Sequence, residues 1–169
     1  KANSNYKADF IWENIMIQSN VIKLSHQFGV KKLLFLGSSC IYPNNIDKPI
    51  SEDKFLAGPL EETNKGYSVA KINGIVMCQM FAKQYGRNFI SVMPTNLYGP
   101  RDNFDLAASH VLPAFIRKFI EAVENGVRKV QLWGSGNSLR EFLHVDDLAQ
   151  AIVLASEKYD SDIHLNIGS

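Results

Sequence analysis

The sequence has few of the features that mark secreted, membrane-bound or nucleic-acid-binding proteins. Its 169 residues include only two cysteines, which look like free thiols rather than a disulfide framework, so a reducing compartment is expected. No apolar run approaches the ~20 residues of a membrane span, and the opening residues lack the apolar core of a signal peptide. A net charge of +1 without a long basic tract gives no basis for binding nucleic acid or a membrane. We therefore expect a cytoplasmic protein.

Helical and extended patterns alternate along the chain, and 46% of the residues are hydrophobic, enough to form a core. Periodicity and stop signals predict helices at 10–28, 67–85, 111–125 and from Asp146 or Asp147 to 158. Short apolar runs predict strands at 32–36, 89–93, 130–133 and 164–167, with a long loop at 44–66. This order predicts an α/β fold with a doubly wound parallel sheet. Ligands of such sheets bind beyond the carboxyl ends of the strands.

One predicted helix carries a tyrosine and a lysine four residues apart. At this spacing Tyr67 and Lys71 share a helix face. An ammonium beside a phenol favours the phenolate, so we expect Lys71 to lower the pKa of Tyr67 toward the range of proton transfer at neutral pH. The pair alone is common in helices where one ring packs and one amine is solvated. Its significance depends on the segments around it.

Two motifs follow the predicted strands on either side of this helix. The run Ser-Ser-Cys-Ile-Tyr-Pro occupies residues 38–43, and the run Pro-Thr-Asn-Leu-Tyr-Gly-Pro occupies residues 94–100. Because the carboxyl ends of parallel strands lie at one edge of a sheet, we expect both runs to lie at the ligand-binding edge.

These motifs resemble those of the GDP-L-fucose synthase family, a branch of the extended short-chain dehydrogenase/reductase superfamily. Matching segments occur in order at 36–43, 91–100, 102–104, 109–111, 133–136 and 140–147, and the resemblance covers essentially all 169 residues. It implies a Rossmann-like fold and an NADPH-dependent enzyme that epimerises carbons 3 and 5 of GDP-4-keto-6-deoxy-D-mannose and reduces carbon 4, giving GDP-L-fucose. It also implies a homodimer formed through the helices at 10–28 and 67–85.

The resemblance assigns the reduction to Ser38, Tyr67 and Lys71. Tyr67 would give a proton to the oxygen on carbon 4 as hydride arrives from NADPH, and Ser38 would hydrogen-bond the same oxygen. Lys71 would hold the ribose hydroxyls of the cofactor. The implied cofactor contacts as a whole are Gly37, Ser38, Ser39, Tyr67, Lys71, Pro94, Thr95, Asn96, Leu97 and His110.

Epimerisation next to a carbonyl needs a base and an acid on opposite faces of the sugar ring, since inversion requires reprotonation from the other side. A thiol and an imidazole both suit this task near neutral pH. The resemblance assigns the acid/base pair to Cys40 and His110. Cys78 lies inside a predicted helix and outside any motif, so we expect it in the core.

The resemblance also implies contacts to the GDP-sugar. These residues are Asn96, Lys118, Trp133 and Arg140, with the arginine donating charge-assisted hydrogen bonds to the diphosphate. Lys118 stands where the family commonly has an arginine, so it keeps the charge without the planar fork. We interpret His144, Asp146 and Asp147 as a helix cap and its support, and predict no metal site.

The sequence departs from the family pattern at both ends. Family members begin with a strand and a Gly-rich loop that holds the cofactor pyrophosphate, and no such pattern precedes residue 10; the family also continues beyond residue 169. Residues 134–136 are no substitute and are expected to form a turn on the substrate side. We therefore expect the middle of an enzyme: 1–109 as part of the cofactor domain with the Ser/Tyr/Lys site, and 110–169 as a substrate-domain helix and loops interleaved with the last strands.

Two other interpretations stay open. A sugar-nucleotide 4-epimerase or 4,6-dehydratase would share Ser38, Tyr67 and Lys71 but has no need for Cys40 with His110. Alternatively, the chain is an inactive fragment that retains only its dimerisation surface. The preference for NADPH over NADH is implied by the resemblance alone.

Overall fold

The computed structural model describes residues 6–46, 49–132, 134–137 and 139–168. Its helices are α1 (Lys7–Gln27), α2 (Lys65–Tyr85), α3 (Val111–Glu124) and α4 (Val145–Lys158). Its strands are β1 (Lys32–Leu36), β2 (Asn88–Pro94), β3 (Asn96–Tyr98), β4 (Phe142–His144) and β5 (Leu165–Ile167). Short 3₁₀ turns occur at Ser39–Ile41, Glu52–Lys54 and Glu62–Asn64. Within these ranges no helix has both the length and the apolar character needed to cross a bilayer.

The main sheet is parallel, with the strand order β1-β2-β5. The central strand β2 is covered on both faces because alternate side chains point in opposite directions. Phe89 packs with α1 and α2 on one face, whereas Ile90 and Val92 pack with Ala155 of α4 on the other. The prediction of a doubly wound parallel sheet is confirmed.

Helix α2 lies very close to β1. Gly74 makes this possible: a Cβ atom at this position would stand 2.3 Å from the ring of Phe35 in β1. The same helix contributes Cys78 to a buried cluster with Ile22 of α1 and Phe89 of β2, so Cys78 is a core residue as expected. The close approach places the first turns of α2 beside the carboxyl end of β1.

A second, two-stranded parallel ladder joins β3 to β4, with Asn96 opposite Phe142. The sequence did not reveal these strands because each has only three residues, too few for a periodic signal. The strand predicted at 130–133 is wrong for 130–132, which are irregular, while Trp133 lies outside the described residues. Gln131 and Leu132 are exposed, so the apolar character of this segment does not reflect burial in a sheet.

The cap of the last helix lies two or three residues before the predicted one. Its N-cap is His144, whose Nδ1 accepts a hydrogen bond from the backbone N–H of Asp146 at 3.3 Å. The prediction of Asp146 or Asp147 as the cap is therefore wrong, although both acidic side chains lie in the first turn, where they favour the helix dipole.

Candidate active site

The end of β1 turns sharply and presents a serine and a cysteine. The N–H of Gly37 donates to the carbonyl of Val92 in β2 at 2.9 Å, and a Cβ at Gly37 would stand 2.2 Å from the Met93 sulfur, so only glycine allows this approach. Ser38 is extended, and its Oγ accepts a hydrogen bond from the N–H of Cys40 at 3.4 Å. The following 3₁₀ turn buries Ile41 and leaves Cys40 half-buried.

The first turns of α2 face this turn. The Ser38 hydroxyl is hydrogen-bonded to the Tyr67 phenol, and Cys40 lies near enough to act on the phenol electrostatically. The Lys71 ammonium donates to the carbonyl of Leu36 at 2.8 Å and lies 5.6 Å from the centre of the Tyr67 ring. The structure therefore brings Ser38, Cys40, Tyr67 and Lys71 together at the carboxyl end of β1.

The pKa of Tyr67 differs from the sequence-based expectation. Burial of the phenol raises its pKa, the charge of Cys40 raises it further, and only the hydrogen bond with Ser38 lowers it. Burial also lowers the pKa of Lys71. The prediction that Lys71 lowers the pKa of Tyr67 is wrong for this structure, because desolvation outweighs any effect of the neighbouring cation. Tyr67 is thus a protonated phenol at neutral pH.

The segment after β2 forms the neighbouring part of the edge. Thr95 donates through its N–H to the carbonyl of Ile167 in β5 at 3.2 Å. The Thr95 hydroxyl and the Asn96 side-chain amide both donate to the carbonyl of Glu141, each at 3.0 Å. Glu141 was not identified from the sequence because it acts through its backbone, which leaves no residue-type signal. Pro94 ends β2, and Leu97 lies within β3.

The other predicted binding residues lie on separate elements. His110 is the exposed N-cap residue of α3, and within the described chain its imidazole makes no hydrogen bond, ion pair or ring contact. Lys118 is half-buried on α3, and Arg140 is exposed just before β4, donating to the carbonyl of Leu139 at 3.2 Å. Trp133 lies outside the described residues. Arg140 directly precedes Glu141, whose carbonyl accepts the hydrogen bond from the Asn96 side chain.

Acidic, cysteine and histidine side chains do not cluster into a metal site within the described ranges. A cleft of ≈ 230 Å³ lies between the β3–β4 ladder and α3. It is lined by Tyr98, Gly99, Pro100, Asp102, Phe104, Pro113, Ile116 and His144.

A parallel α/β sheet with a serine, a tyrosine and a lysine gathered at a strand end defines a Rossmann-like domain of the short-chain dehydrogenase/reductase type. The sequence pattern of one family within this class matches residues 1–168. The chain belongs to the NAD dependent epimerase/dehydratase family.

Individual relatives agree with this assignment. The chain is 56% identical to GDP-L-fucose synthase 1 of Arabidopsis thaliana over 99% of the chain and 52% of the relative. It is similar in structure to a GDP-L-fucose synthetase from Naegleria fowleri bound to NADP, with a TM-score of 0.89, 34% identity and coverage of 100% of this chain and 55% of that one. A GDP-mannoheptose C4 reductase from Campylobacter jejuni with NADP bound gives a TM-score of 0.89 at 37% identity, covering 99% and 60% of the two chains. The chain spans about half the length of the curated relatives it matches.

Proposed function

We propose that the protein carrying this chain converts GDP-4-keto-6-deoxy-D-mannose to GDP-L-fucose by 3,5-epimerisation and NADPH-dependent 4-reduction. The observation that carries the proposal is the convergence of Cys40 with Ser38 and Tyr67 at one strand end. Reduction alone needs the serine and the tyrosine. A thiol beside them gives the site a group that can remove a proton from a carbon atom of the sugar or return one to it. Relatives named for GDP-L-fucose synthesis support the choice of substrate.

In the reduction, Tyr67 is the proton donor. Its raised pKa keeps the phenol protonated at neutral pH, so its O–H can pass a proton to the oxygen on carbon 4. Ser38 donates a hydrogen bond to the same oxygen and stabilises the charge that develops there. NADPH, when bound, supplies the hydride to carbon 4.

In the epimerisation, Cys40 and His110 move protons at carbons 3 and 5. One group takes the proton from a carbon beside the carbonyl, the electron pair passes to the carbonyl oxygen as an enolate, and the other group returns a proton from the opposite face. The hydroxyls of Ser38 and Tyr67 stabilise this oxyanion. Cys40 follows β1 and His110 is the N-cap residue of α3, so the two groups belong to separate elements, which suits a pair that acts on opposite faces of a ring.

The residues around the end of β1 suit the nicotinamide-ribose half of a dinucleotide. The Lys71 ammonium uses one of its three protons on the Leu36 carbonyl, which leaves two for ribose hydroxyls. Gly37 has no side chain, and the backbone of Ser39 and of Pro94 to Leu97 borders the same edge of the sheet. We assign NADPH as the cofactor because two similar structures are described with NADP.

We assign contacts to the GDP-sugar to Asn96, Lys118, Trp133 and Arg140. Residues 1–109 then form part of the cofactor domain, and 110–169 combine substrate-domain elements with the last strands. Both cysteines are free thiols, which fits a cytoplasmic enzyme. We further propose a homodimer formed through α1 and α2, whose outward faces carry exposed apolar side chains.

The proposal is tested by proton exchange in heavy water. The protein, expressed from its full reading frame, is incubated with GDP-4-keto-6-deoxy-D-mannose with and without NADPH, and deuterium is located on the recovered sugar. We expect deuterium at carbons 3 and 5 in both samples, and GDP-L-fucose only with NADPH. Absence of exchange would discard the epimerase function.

The variant Cys40→Ser separates epimerisation from reduction. We expect deuterium incorporation to fall by about 100-fold or more, since a serine hydroxyl is a far weaker acid/base group at neutral pH. NADPH-dependent reduction of the uninverted ketone should persist. Cys78→Ser, deep in the core beside Ser91, is the matched control for loss of a thiol and should leave exchange intact. Unchanged turnover of Cys40→Ser would overturn the role of Cys40.

A narrower function, reduction at carbon 4 alone, is favoured by the similarity to the GDP-mannoheptose C4 reductase. The same experiment distinguishes the two. Reduction with NADPH but without deuterium at carbons 3 and 5 would identify the protein as a reductase only.

A further inference from the structure

A buried polar cluster lies directly behind the Cys40 turn. Tyr42 is only 5% exposed and His164 only 3%, and the Tyr42 hydroxyl lies 2.8 Å from Nε2 of His164. The same hydroxyl donates a hydrogen bond to Oδ1 of Asn166 at 2.6 Å. Tyr42 comes two residues after Cys40. Asn166 lies in β5, and His164 is the residue just before that strand.

The protons of this cluster can be assigned from its geometry. A phenol has one proton, and Tyr42 gives it to the Asn166 amide oxygen. His164 must then carry its proton on Nε2 and donate to the Tyr42 oxygen. The Tyr42 hydroxyl thus both donates and accepts a hydrogen bond, and a buried hydrogen-bonded network of this kind holds its members in one arrangement.

Asn166 extends the cluster into the loop that follows the Cys40 turn. Its side-chain amide donates to the carbonyl of Ile50 at 3.0 Å, and its backbone N–H donates to a carboxylate oxygen of Glu52 at 2.8 Å. The next residue, Ile167, accepts the hydrogen bond from the N–H of Thr95. One strand, β5, therefore connects the segment beyond Cys40 to the segment that carries Thr95 and Asn96.

We propose that Tyr42, held by His164 and Asn166, is a positioning residue that fixes the Cys40 turn relative to the Thr95–Asn96 segment. The hydroxyl is not needed to fill the core, since a phenylalanine ring has nearly the same volume. Its contribution is directional: it fixes where the turn at 39–41 lies against β5. The inference rests on the proposed function for its effect on catalysis, but the positioning itself does not.

The test is Tyr42→Phe in the protein expressed from its full reading frame. We expect deuterium exchange at carbons 3 and 5 to slow by about 10-fold or more, because a small displacement of a catalytic group costs that much. The dissociation constant for NADPH should change by a smaller factor than the exchange rate, since Tyr67 and Lys71 lie on α2 and keep their places, whereas Ser38 and Ser39 share the displaced turn. Tyr159→Phe, which removes a hydroxyl that donates to the carbonyl of Ile163, is the matched control and should leave exchange unchanged.

A second measurement does not depend on the reaction. Alkylation of Cys40 by iodoacetamide, followed by peptide mass spectrometry, reports how firmly the turn is held. Cys78 is 1% exposed and burial raises its pKa to about 11, so it does not interfere. We expect Tyr42→Phe to be alkylated about fivefold faster at Cys40, the factor expected from one lost buried hydrogen bond.

The outcomes separate the two proposals. An unmodified protein without exchange overturns the proposed function, and the alkylation rates then decide the positioning role alone. Equal alkylation of Cys40 in a folded Tyr42→Phe variant and in the unmodified protein overturns the role of Tyr42, as does unchanged exchange in that variant. If Tyr42→Phe does not fold, His164→Gln, which keeps a donor at the Nε2 position, should alkylate as the unmodified protein and His164→Leu faster; equal rates in this pair overturn the proposal.

Discussion

Tyr67 shows how burial sets the chemistry of a single side chain. Its phenol is half-buried against the ring of Phe10, with ring centres 5.9 Å apart, and desolvation holds its pKa above the ordinary value of 10.0. A protonated phenol suits the donation of a proton to a carbonyl oxygen. A tyrosine that had to act as a base would need the opposite shift.

Tyr67→Phe should therefore remove the reduction step. We expect NADPH-dependent turnover to fall by about 100-fold or more, because the proton donor is lost. In Cys40→Ser, where the ketone is reduced without inversion, the rate should stay flat from neutral to moderately alkaline pH, since the raised pKa keeps Tyr67 protonated there. Single-turnover absorbance of NADPH measures both. Tyr85→Phe, at the other end of α2, is the control. A fall in the reduction rate as the pH rises just above neutrality would contradict the assignment.

His164 should make the fold sensitive to acid. Burial lowers its pKa below the ordinary 6.5, while Glu52 opposes this shift more weakly. The unfolded chain then binds a proton more readily than the folded one, so stability is full above pH 6.5 and is lost as the pH falls through the folded pKa. We expect His164→Gln to flatten the decline of the unfolding midpoint below pH 6.5. His110→Gln, at an exposed position, should not; equal slopes for all three proteins would contradict the prediction.

The sequence could predict which residues gather at the site but not how they are tuned. Ser38, Cys40, Tyr67 and Lys71 could be placed together because strand ends and helix faces follow from periodicity. The Tyr67 pKa is raised first by burial of the phenol, and no local pattern encodes a contact such as that with the Phe10 ring, which lies far away in the chain. Tyr42 was unrecognised for the same reason: its partners His164 and Asn166 lie 122 and 124 residues along the chain.

At the scale of elements, long periodic segments were predictable and short ones were not. Helices α1, α2 and α3 and strands β1 and β2 lie close to their predicted positions because each carries a long or continuous apolar pattern in the sequence, even in α3, where most of the apolar side chains are exposed. The three-residue strands β3 and β4 exist through their mutual pairing, which a local pattern does not contain. Segment 130–132 has strand-like residues without a paired strand, so its apolar character misled the prediction.

The contact between α2 and β1 depends on Gly74. An alanine there would drive its Cβ into the Phe35 ring, and we expect Gly74→Ala to reduce the free energy of unfolding by about 1–3 kcal/mol. The shift of α2 should also move Tyr67 and Lys71 away from Ser38 and lower turnover. Urea unfolding and turnover measure the two effects.

Gly66 supplies a matched control in the same helix. The nearest atoms to a Cβ at Gly66 are 3.7 Å away, so Gly66→Ala meets ordinary contacts only. Its effect should be stabilising by about 0.5–1 kcal/mol, since alanine favours a helix over glycine. If both variants unfold at the same urea concentration, the close packing of α2 on β1 does not limit stability.

At the scale of the whole molecule, α1 and α2 each carry a second apolar stripe besides the one packed in the core. On α1 and its C-cap, Ile17, Val21, Leu24 and Phe28 are all exposed, at spacings of four, three and four residues that place them on one helix face. On α2, exposed Val69 and Met80 share a face with half-buried Val76. Exposed apolar stripes on neighbouring helices are typical of helix–helix interfaces between subunits.

The final prediction concerns assembly through these stripes. Val21→Asp places a charge in the middle of the α1 stripe, where a helix interface would have to bury it without a partner, so we expect the dimer to dissociate. Lys23→Asp alters charge on the same helix but on a different face, and should leave the dimer intact. Sedimentation velocity of the protein expressed from its full reading frame distinguishes twice the chain mass from one. A monomeric unmodified protein, or dissociation by both variants alike, would contradict an interface formed by α1 and α2.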